Sequence, residues 1–389
     1  MKIIYIVNAR IPTEKAHGYQ ITKMCEEFAL AGAEVELWVP TRKNNILGNA
    51  FSFYGIKENF RIRYVKCFDF IRFDRLLLRK SVYLQSLWFF IKLAFEKADK
   101  DVIIYTRNPE LVWLFNLRGF MTAYECHDWF GKKKGIALWL LRRCDRIIVT
   151  NNFIKQEFIK NGFAQTILVA PNGVNLEIFN IDIEKEKALQ KLSLEQELGE
   201  KIRDQKILLY TGSFRTMGTD KGIAEILESL KILNRPEVFF LAVGGNEKDI
   251  AYYESLAKEI GVSDKCKFIG RRTQTELALW QKISDILLMP FPDKAHYRYF
   301  MTPLKIFEYM ASGRPIIASD LPSIREILNN ENAFFCKAGD TNDLSRNIDF
   351  VLNNPVETDK KAVKAKKDVF RYTWEKRVKE INCLLSKLS

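Results

Sequence analysis

The sequence predicts two doubly wound α/β domains, each built on a parallel sheet. Three observations carry this. The chain has 389 residues, more than one ordinary core holds and about right for two domains of roughly 150–200 residues each. Its two halves open alike. The first reads as strand KIIYIV, a loop, helix ITKMCEEFALAGA and strand EVELWVP; the second as strand KILLYTG, the loop SFRTMGTDKG, helix IAEILESLKILNR and strand VFFLAVGG. The opening strands are nearly continuous apolar runs, which marks strands covered on both faces. Further strands follow in each half: DVIIYTR, DRIIVTN and TILVAPNG, then KCKFIGR, DILLMPF and RPIIASD. Strands alternating with helices give doubly wound domains, with ligands expected in a cleft at the carboxyl ends of the strands.

The predicted division is 1–180 for the first domain, 181–205 for a charged linker and exposed helix, and 206–370 for the second domain. The last stretch, 371–389, is expected to pack back on the first domain. Hydrophobic residues make up 47% and charged residues 28%, the balance of a globular chain rather than a disordered one. Met1 and Lys2 lead straight into an apolar strand, with no secretory leader pattern. The apolar stretch SLWFFIKLAF is interrupted by Lys92 and is too short to span a bilayer. The seven cysteines form no C-x-x-C pair, which suits reduced thiols in the cytoplasm rather than a disulfide frame or a zinc site.

The net charge of +13 suits an acidic partner or a plain solvated surface. Between 57 and 97 basic and aromatic residues interleave. Such a segment can lie on an anionic membrane surface without crossing it, or can be a helix packed on a sheet. No G-x-G-x-x-G follows either first strand and no P-loop pattern occurs, so dinucleotide and P-loop chemistry lose their fingerprint. Asp99-Lys100-Asp101 precedes a strand and reads as a solvated turn, not a metal site.

Chemistry concentrates in a few places. Glu308 sits within the apolar helix of MTPLKIFEYMASGRPIIASD. Pro303 suits that helix's first turn, and the free N–H groups there would be ready for phosphate. A carboxylate one turn on could accept from ribose hydroxyls; alternatively it pairs with Arg314 or Lys305. In GSFRTMGTDKG, Gly212 allows a tight turn, while Arg215 and Lys221 could meet a diphosphate. In YECHDWFG, His127 and Asp128 stand where a strand ends. This His is one of three in the chain, and it serves either as a hydrogen-bonding group at a cleft or as a structural residue. His17, Gly18 and Tyr19 open the first helix, and Gly18 could let the backbone approach a ligand. His296, in the basic loop DKAHYRYF, reads as a phosphate-side or solvated loop. PNGVNLEIF carries an Asn-Gly turn at the domain edge.

Taken in order, PNGVNLEIF, YTGSFRTMGTDKG, GRRTQTELALWQKISDILLMPF, PLKIFEYMASGRPIIASD and RYTWEKRV resemble the motifs of retaining GT-B glycosyltransferases of family 4, over nearly the whole chain. The resemblance implies two Rossmann-like domains facing each other across a cleft. It implies a ribose contact for Glu308 and a diphosphate contact for Lys221, Arg215 and the backbone at Leu304 and Lys305. Gly212, Gly18 and Pro303 would border the donor, Arg271 would lie beside the base, and His127 would contact the transferred sugar. His17, Arg107 and Asp128 fall on the acceptor side. Two positions depart from the family pattern: Phe300 stands where the first Glu of its pair is common, and Ser213 where an Arg often follows the loop glycine.

The expected activity is retaining, metal-independent transfer of a hexose-type sugar from a nucleotide diphosphate. The acceptor would be a glycan or lipid-linked molecule at the inner face of the cell membrane. No cofactor and no nucleic-acid partner are expected. A nucleotide-sugar epimerase of the same fold and a non-catalytic scaffold for nucleotides or polyanions are the competing readings.

Overall fold

The computed structural model describes every residue except 47, 74–79, 132–133, 193–199, 217 and 389. The chain forms two compact units: Met1–Pro171 together with Trp374–Ser389, and Asn172–Thr373.

The first unit holds a seven-stranded sheet. Its strands are β1 (Lys2–Ile6), β2 (Glu34–Pro40), β3 (Arg61–Val65), β4 (Val102–Thr106), β5 (Met121–Cys126), β6 (Arg146–Val149) and β7 (Ile167–Val169). They pair in the order β3-β2-β1-β4-β5-β6-β7, all parallel. The strand order reverses between β1 and β4, where a doubly wound sheet offers its ligand crevice.

The second unit carries β8 (Lys206–Thr211), a short antiparallel pair β9 (Arg215–Thr216) and β10 (Thr219–Asp220), then β11 (Val238–Gly245), β12 (Cys266–Gly270), β13 (Ile286–Met289), β14 (Ile316–Ser319) and β15 (Phe334–Cys336). Six of them form a parallel sheet in the order β12-β11-β8-β13-β14-β15. Side chains along β8 alternate between two cores: Ile207 and Leu209 join one, Leu208 and Tyr210 the other. Both faces of the strand are therefore buried, which is why it reads as an unbroken apolar run.

The structure moves the expected boundaries. The division falls after Pro171, not near 180, because Val174 and Phe179 belong to a core of the second unit. The stretch expected as a linker is a packed element where it is described. Its helix Lys185–Leu192 buries Ala188 and Leu189 in that same core; residues 193–199 lie outside the described part. At the far end, residues 371–373 stay with the second unit. The helix Trp374–Leu385 belongs to the first, where Trp374 meets Tyr19 edge-on at 6.4 Å.

The strands β3 and β15 and the short pair β9 and β10 escaped the sequence reading, the pair falling in a stretch expected as a loop. β3 lies at the sheet edge and is largely exposed and charged, as edge strands tend to be. β15 has only three residues, whereas β5, although it contains Thr122 and Glu125, is the strand expected to end at His127. The segment 57–97 is accordingly not one element. It holds β3, a turn of 3-10 helix at Phe70–Phe73 and the helix Ser81–Phe95, while 74–79 lie outside the described residues. Asp101 sits in a solvated turn and pairs with Lys2 at 3.0 Å.

Candidate functional site

In the first unit the polar groups gather where β4 and β5 end. Glu125, one residue from the end of β5, is fully buried and accepts four hydrogen bonds. Tyr5 Oη donates to Oε2 at 2.8 Å, while Gln20 Nε2, His127 Nε2 and Arg377 Nη2 reach Oε1 at 3.1, 2.8 and 2.6 Å. Burial opposes its ionisation, but Arg377, His127 and Arg107 together hold the carboxyl well below its ordinary pKa. Burial and the Arg107 guanidinium push His127 down to about 4, against the pull of Glu125. At neutral pH the imidazole is therefore uncharged. Because Nε2 faces a carboxylate, Nε2 carries the proton and Nδ1 is left as an acceptor.

Arg107 follows β4 and donates to Gln20 Oε1 at 2.9 Å, joining the network through that amide. Asp128 is exposed and its Oδ1 accepts from the Trp129 N–H at 2.8 Å. His17 is exposed in the first turn of the helix Ala16–Leu30. Gly18 next to it is buried, and a Cβ there would lie 2.1 Å from Tyr54 Oη and 2.5 Å from Thr13 Cγ2. The close approach this glycine permits is thus to side chains of its own unit. Tyr54 Oη in turn accepts from the Thr13 N–H at 2.7 Å.

In the second unit the candidates gather where β8 ends. Gly212 follows the strand with φ 107°, in the left-handed region that favours glycine. The helix Leu304–Ser312 is tied to the same strand end, because Tyr309 Oη accepts from the Thr211 N–H at 2.8 Å. No side chain caps the start of this helix. Pro303 stands just before it in extended conformation, not inside the first turn.

Lys305, one turn before Glu308, runs under the β8 turn. Its Nζ is 3.5 Å from where a Cβ of Gly212 would be, and it lies 3.4 Å from the centre of the Tyr210 ring. That Nζ is buried and has no hydrogen-bond partner. Lys221 Nζ donates to Ser213 Oγ at 2.8 Å, so the serine that departs from the family pattern holds the loop lysine. Burial lowers the Lys221 pKa to about 8. Burial and the charge of Lys221 hold Lys305 well below its usual value, with Glu308 opposing. Burial raises Glu308 to about 7, against the pull of Lys305. Of the two partners considered for Glu308, Lys305 is the one that acts on it electrostatically; Arg314 instead donates to the Lys282 carbonyl.

The remaining expected residues take other places. Arg215 donates to the Gly218 carbonyl at 3.2 Å and lies 4.9 Å from the centre of the Tyr252 ring. Arg271 is exposed just beyond β12. His296 and Phe300 bound a π-helical turn where a loop was expected, with Tyr297 stacked on Phe291 at 5.3 Å.

Sequence reasoning missed Glu125 and Arg377, and it read Lys305 as a backbone contact or a partner of Glu308 without placing its Nζ at Gly212. The signal for the first two was present. Arg377 falls on the apolar stripe of an amphipathic helix with Trp374, Val378 and Ile381, and Glu125 lies inside a strand. A charged group at a core position of each asks for a partner.

Two parallel sheets of this order, with polar groups gathered at their carboxyl ends, define a pair of Rossmann-like domains. Residues 18–178 match the family described as Glycosyltransferase Family 4, and residues 193–369 match Glycosyl transferases group 1. The chain belongs to the GT-B glycosyltransferases of the family 4 type. An uncharacterized glycosyltransferase of Methanocaldococcus jannaschii is 27% identical over 241 residues, 60% of this chain and 58% of that protein. The chain spans about half the length of the curated relatives it matches. Sucrose-phosphate synthase from Thermosynechococcus elongatus superposes with a TM-score of 0.77 at 19% identity, covering 100% of this chain and 98% of that one. Anabaena HepE in complex with UDP-glucose does so with a TM-score of 0.72 at 16% identity, covering 100% of both. At these identities the likeness establishes the fold.

Proposed function

We propose that this protein is a retaining glycosyltransferase that moves a hexose-type sugar from a nucleotide diphosphate to a hydroxyl of a glycan or lipid-linked acceptor at the membrane surface. One observation carries the reading. Two lysines, 221 and 305, converge on the turn after β8, and Lys305 Nζ is buried with no hydrogen-bond partner. An unpaired buried ammonium is costly. A diphosphate at Gly212 would relieve that cost, with the uncapped start of the helix Leu304–Ser312 adding N–H donors. Glu308, one turn further on, would accept from the ribose hydroxyls. HepE, of the same fold, is described in complex with UDP-glucose, and a nucleotide-sugar donor fits the site proposed here.

In the reaction the bond between the sugar's anomeric carbon and the diphosphate oxygen breaks. The acceptor oxygen bonds to the same carbon on the same face, and its proton passes to the departing diphosphate. The lysines would stabilise the charge that develops on the leaving group, in the role a metal ion plays elsewhere. His127, neutral and anchored through Nε2, would offer Nδ1 to a sugar hydroxyl. Arg215, resting on Tyr252, would need to turn to reach the diphosphate, so Lys305 is the better second cation.

Calorimetric titration with a panel of nucleoside diphosphates, with EDTA present, tests the reading. Micromolar binding of one nucleotide, lost in Glu308→Ala and Lys305→Ala, is expected. Binding that depends on added metal, or that both variants retain, would overturn it.

A further inference from the structure

The helix Ser81–Phe95 carries apolar residues on both its buried and its exposed side. Its buried stripe is Ser81, Gln85, Phe89 and Leu93, two of them polar and fully buried. Gln85 Oε1 there accepts from the Phe70 N–H at 3.1 Å. Phe89 and Leu93 join the core, yet the outer side is apolar as well: Tyr83 is 63% exposed, Leu87 55% and Phe95 82%. A surface helix of a globular domain normally carries polar residues on its outer side.

The exposed apolar surface does not stop at this helix. Phe68 and Phe73 stack at 5.9 Å, and Phe70 meets Trp88 edge-on at 6.4 Å. On the other side the half-buried Phe90 stacks on the half-buried Trp113 at 6.4 Å, and Trp113 meets the exposed Trp139 at 6.1 Å. Trp139, on the helix Lys134–Leu141, is 61% exposed. An aromatic surface of this extent on one unit marks an interaction site.

The stretch of sequence that carries most of it is basic. Residues 61–97 contain nine Lys and Arg against three Asp and Glu. Of those acids, Glu96 pairs with Arg63, and Asp69 accepts from the Lys43 and Ile71 N–H groups. Lys92 lies 5.5 Å from the centre of the Trp88 ring, so a cation flanks the aromatic surface. Tyr and Trp bodies beside Lys heads suit the boundary between acyl chains and headgroups. No described helix is long and apolar enough to cross a membrane, so this face would lie on a bilayer rather than within it.

We infer that the face formed by Phe68–Phe73, the outer side of the helix Ser81–Phe95 and Trp139 docks the first unit onto an anionic lipid bilayer. The helix exposes Leu and Phe because lipid covers them, and Lys80 and Lys92 meet the headgroups. This deepens the proposed function, naming the surface on which it would act, and it rests on that reading only for its purpose.

The test is flotation of the full chain with vesicles, without donor or acceptor. Vesicles of phosphatidylcholine with about one third phosphatidylglycerol are compared with phosphatidylcholine alone. Binding to the anionic vesicles is expected to weaken more than about tenfold when Lys80 and Lys92 are both changed to Glu, and also in Leu87→Glu. Nucleoside diphosphate binding, read by calorimetry on the same variants, should stay unchanged. If no nucleotide binds but flotation persists, the catalytic reading fails and the docking surface stands. Equal binding by the wild type and all variants, or none by the wild type, overturns the inference. So does a dimer in solution that Trp139→Glu converts to monomer, because the face would then be covered by a second copy.

Discussion

Arg377 and Glu125 form a fully buried ion pair at 2.6 Å, their side chains 2% and 0% exposed. The same guanidinium donates to the Pro171 carbonyl at 2.9 Å and to Met24 Sδ. One side chain thereby fastens the returning C-terminal helix to the core of the first unit, and it holds the carboxylate that orients His127. Removing one partner of such a pair leaves an uncompensated buried charge, at a cost of about 3–5 kcal/mol. Arg377→Met should destabilise the first unit on that scale in urea denaturation, and Arg377→Met with Glu125→Leu should recover much of the loss. An additive double mutant would show that the two side chains act independently.

His127 should matter for turnover and not for nucleotide affinity. His127→Ala is expected to lower kcat about 100-fold or more while leaving the nucleoside diphosphate Kd within about twofold of wild type. Its lowered pKa has a second consequence. The folded value is about 4 against 6.5 for the free side chain, so between those values the unfolded chain binds the extra proton. This group's contribution to stability therefore falls as the pH drops from 6.5 toward 4. His127→Gln should flatten that part of the stability profile in thermal denaturation.

Lys305 and Lys221 should set both the strength and the pH dependence of diphosphate binding. Lys305→Met is expected to weaken it by about 10- to 100-fold. Lys221 has a pKa of about 8 before ligand arrives, and a bound anion would raise it. Affinity should therefore fall about tenfold per pH unit above 8, with proton uptake on binding. Calorimetry in buffers of different ionisation enthalpy measures that uptake, and its absence in Lys221→Met would assign it.

Glu308 stores a cost. Its carboxyl is raised to about 7 from 4.5, so the stability it contributes is fully present below 4.5 and is lost as the pH rises through 7. Glu308→Gln removes the ionisation, and the variant should be more stable than wild type at pH 8, by about 2–3 kcal/mol at most. The two should be nearly equal at pH 4. A gain in stability joined to weaker nucleotide binding would mark a residue kept for its ligand.

How much of this protein could be read from one dimension differs by element. The parallel sheets were legible because each strand declares itself within a few residues: β1, β8 and β13 are apolar runs whose neighbours in sequence are loops and helices. Glu308, Lys221 and Gly212 were legible for the same reason, as departures from a local pattern or as turn residues. β3 was not, because an edge position leaves its side chains exposed and charged and makes the strand look polar.

The sequence by itself determined the two doubly wound domains, the helix bearing Glu308 and the loop bearing Lys221, since periodicity and turn chemistry act between residues close along the chain. Only the tertiary structure decided that Arg377 meets Glu125 across 252 positions, that Lys305 reaches under Gly212, and which of the apolar residues of the helix Ser81–Phe95 stay exposed. Those outcomes depend on which distant surfaces pack together, and an amphipathic pattern states that a helix has two faces without stating which one the fold covers.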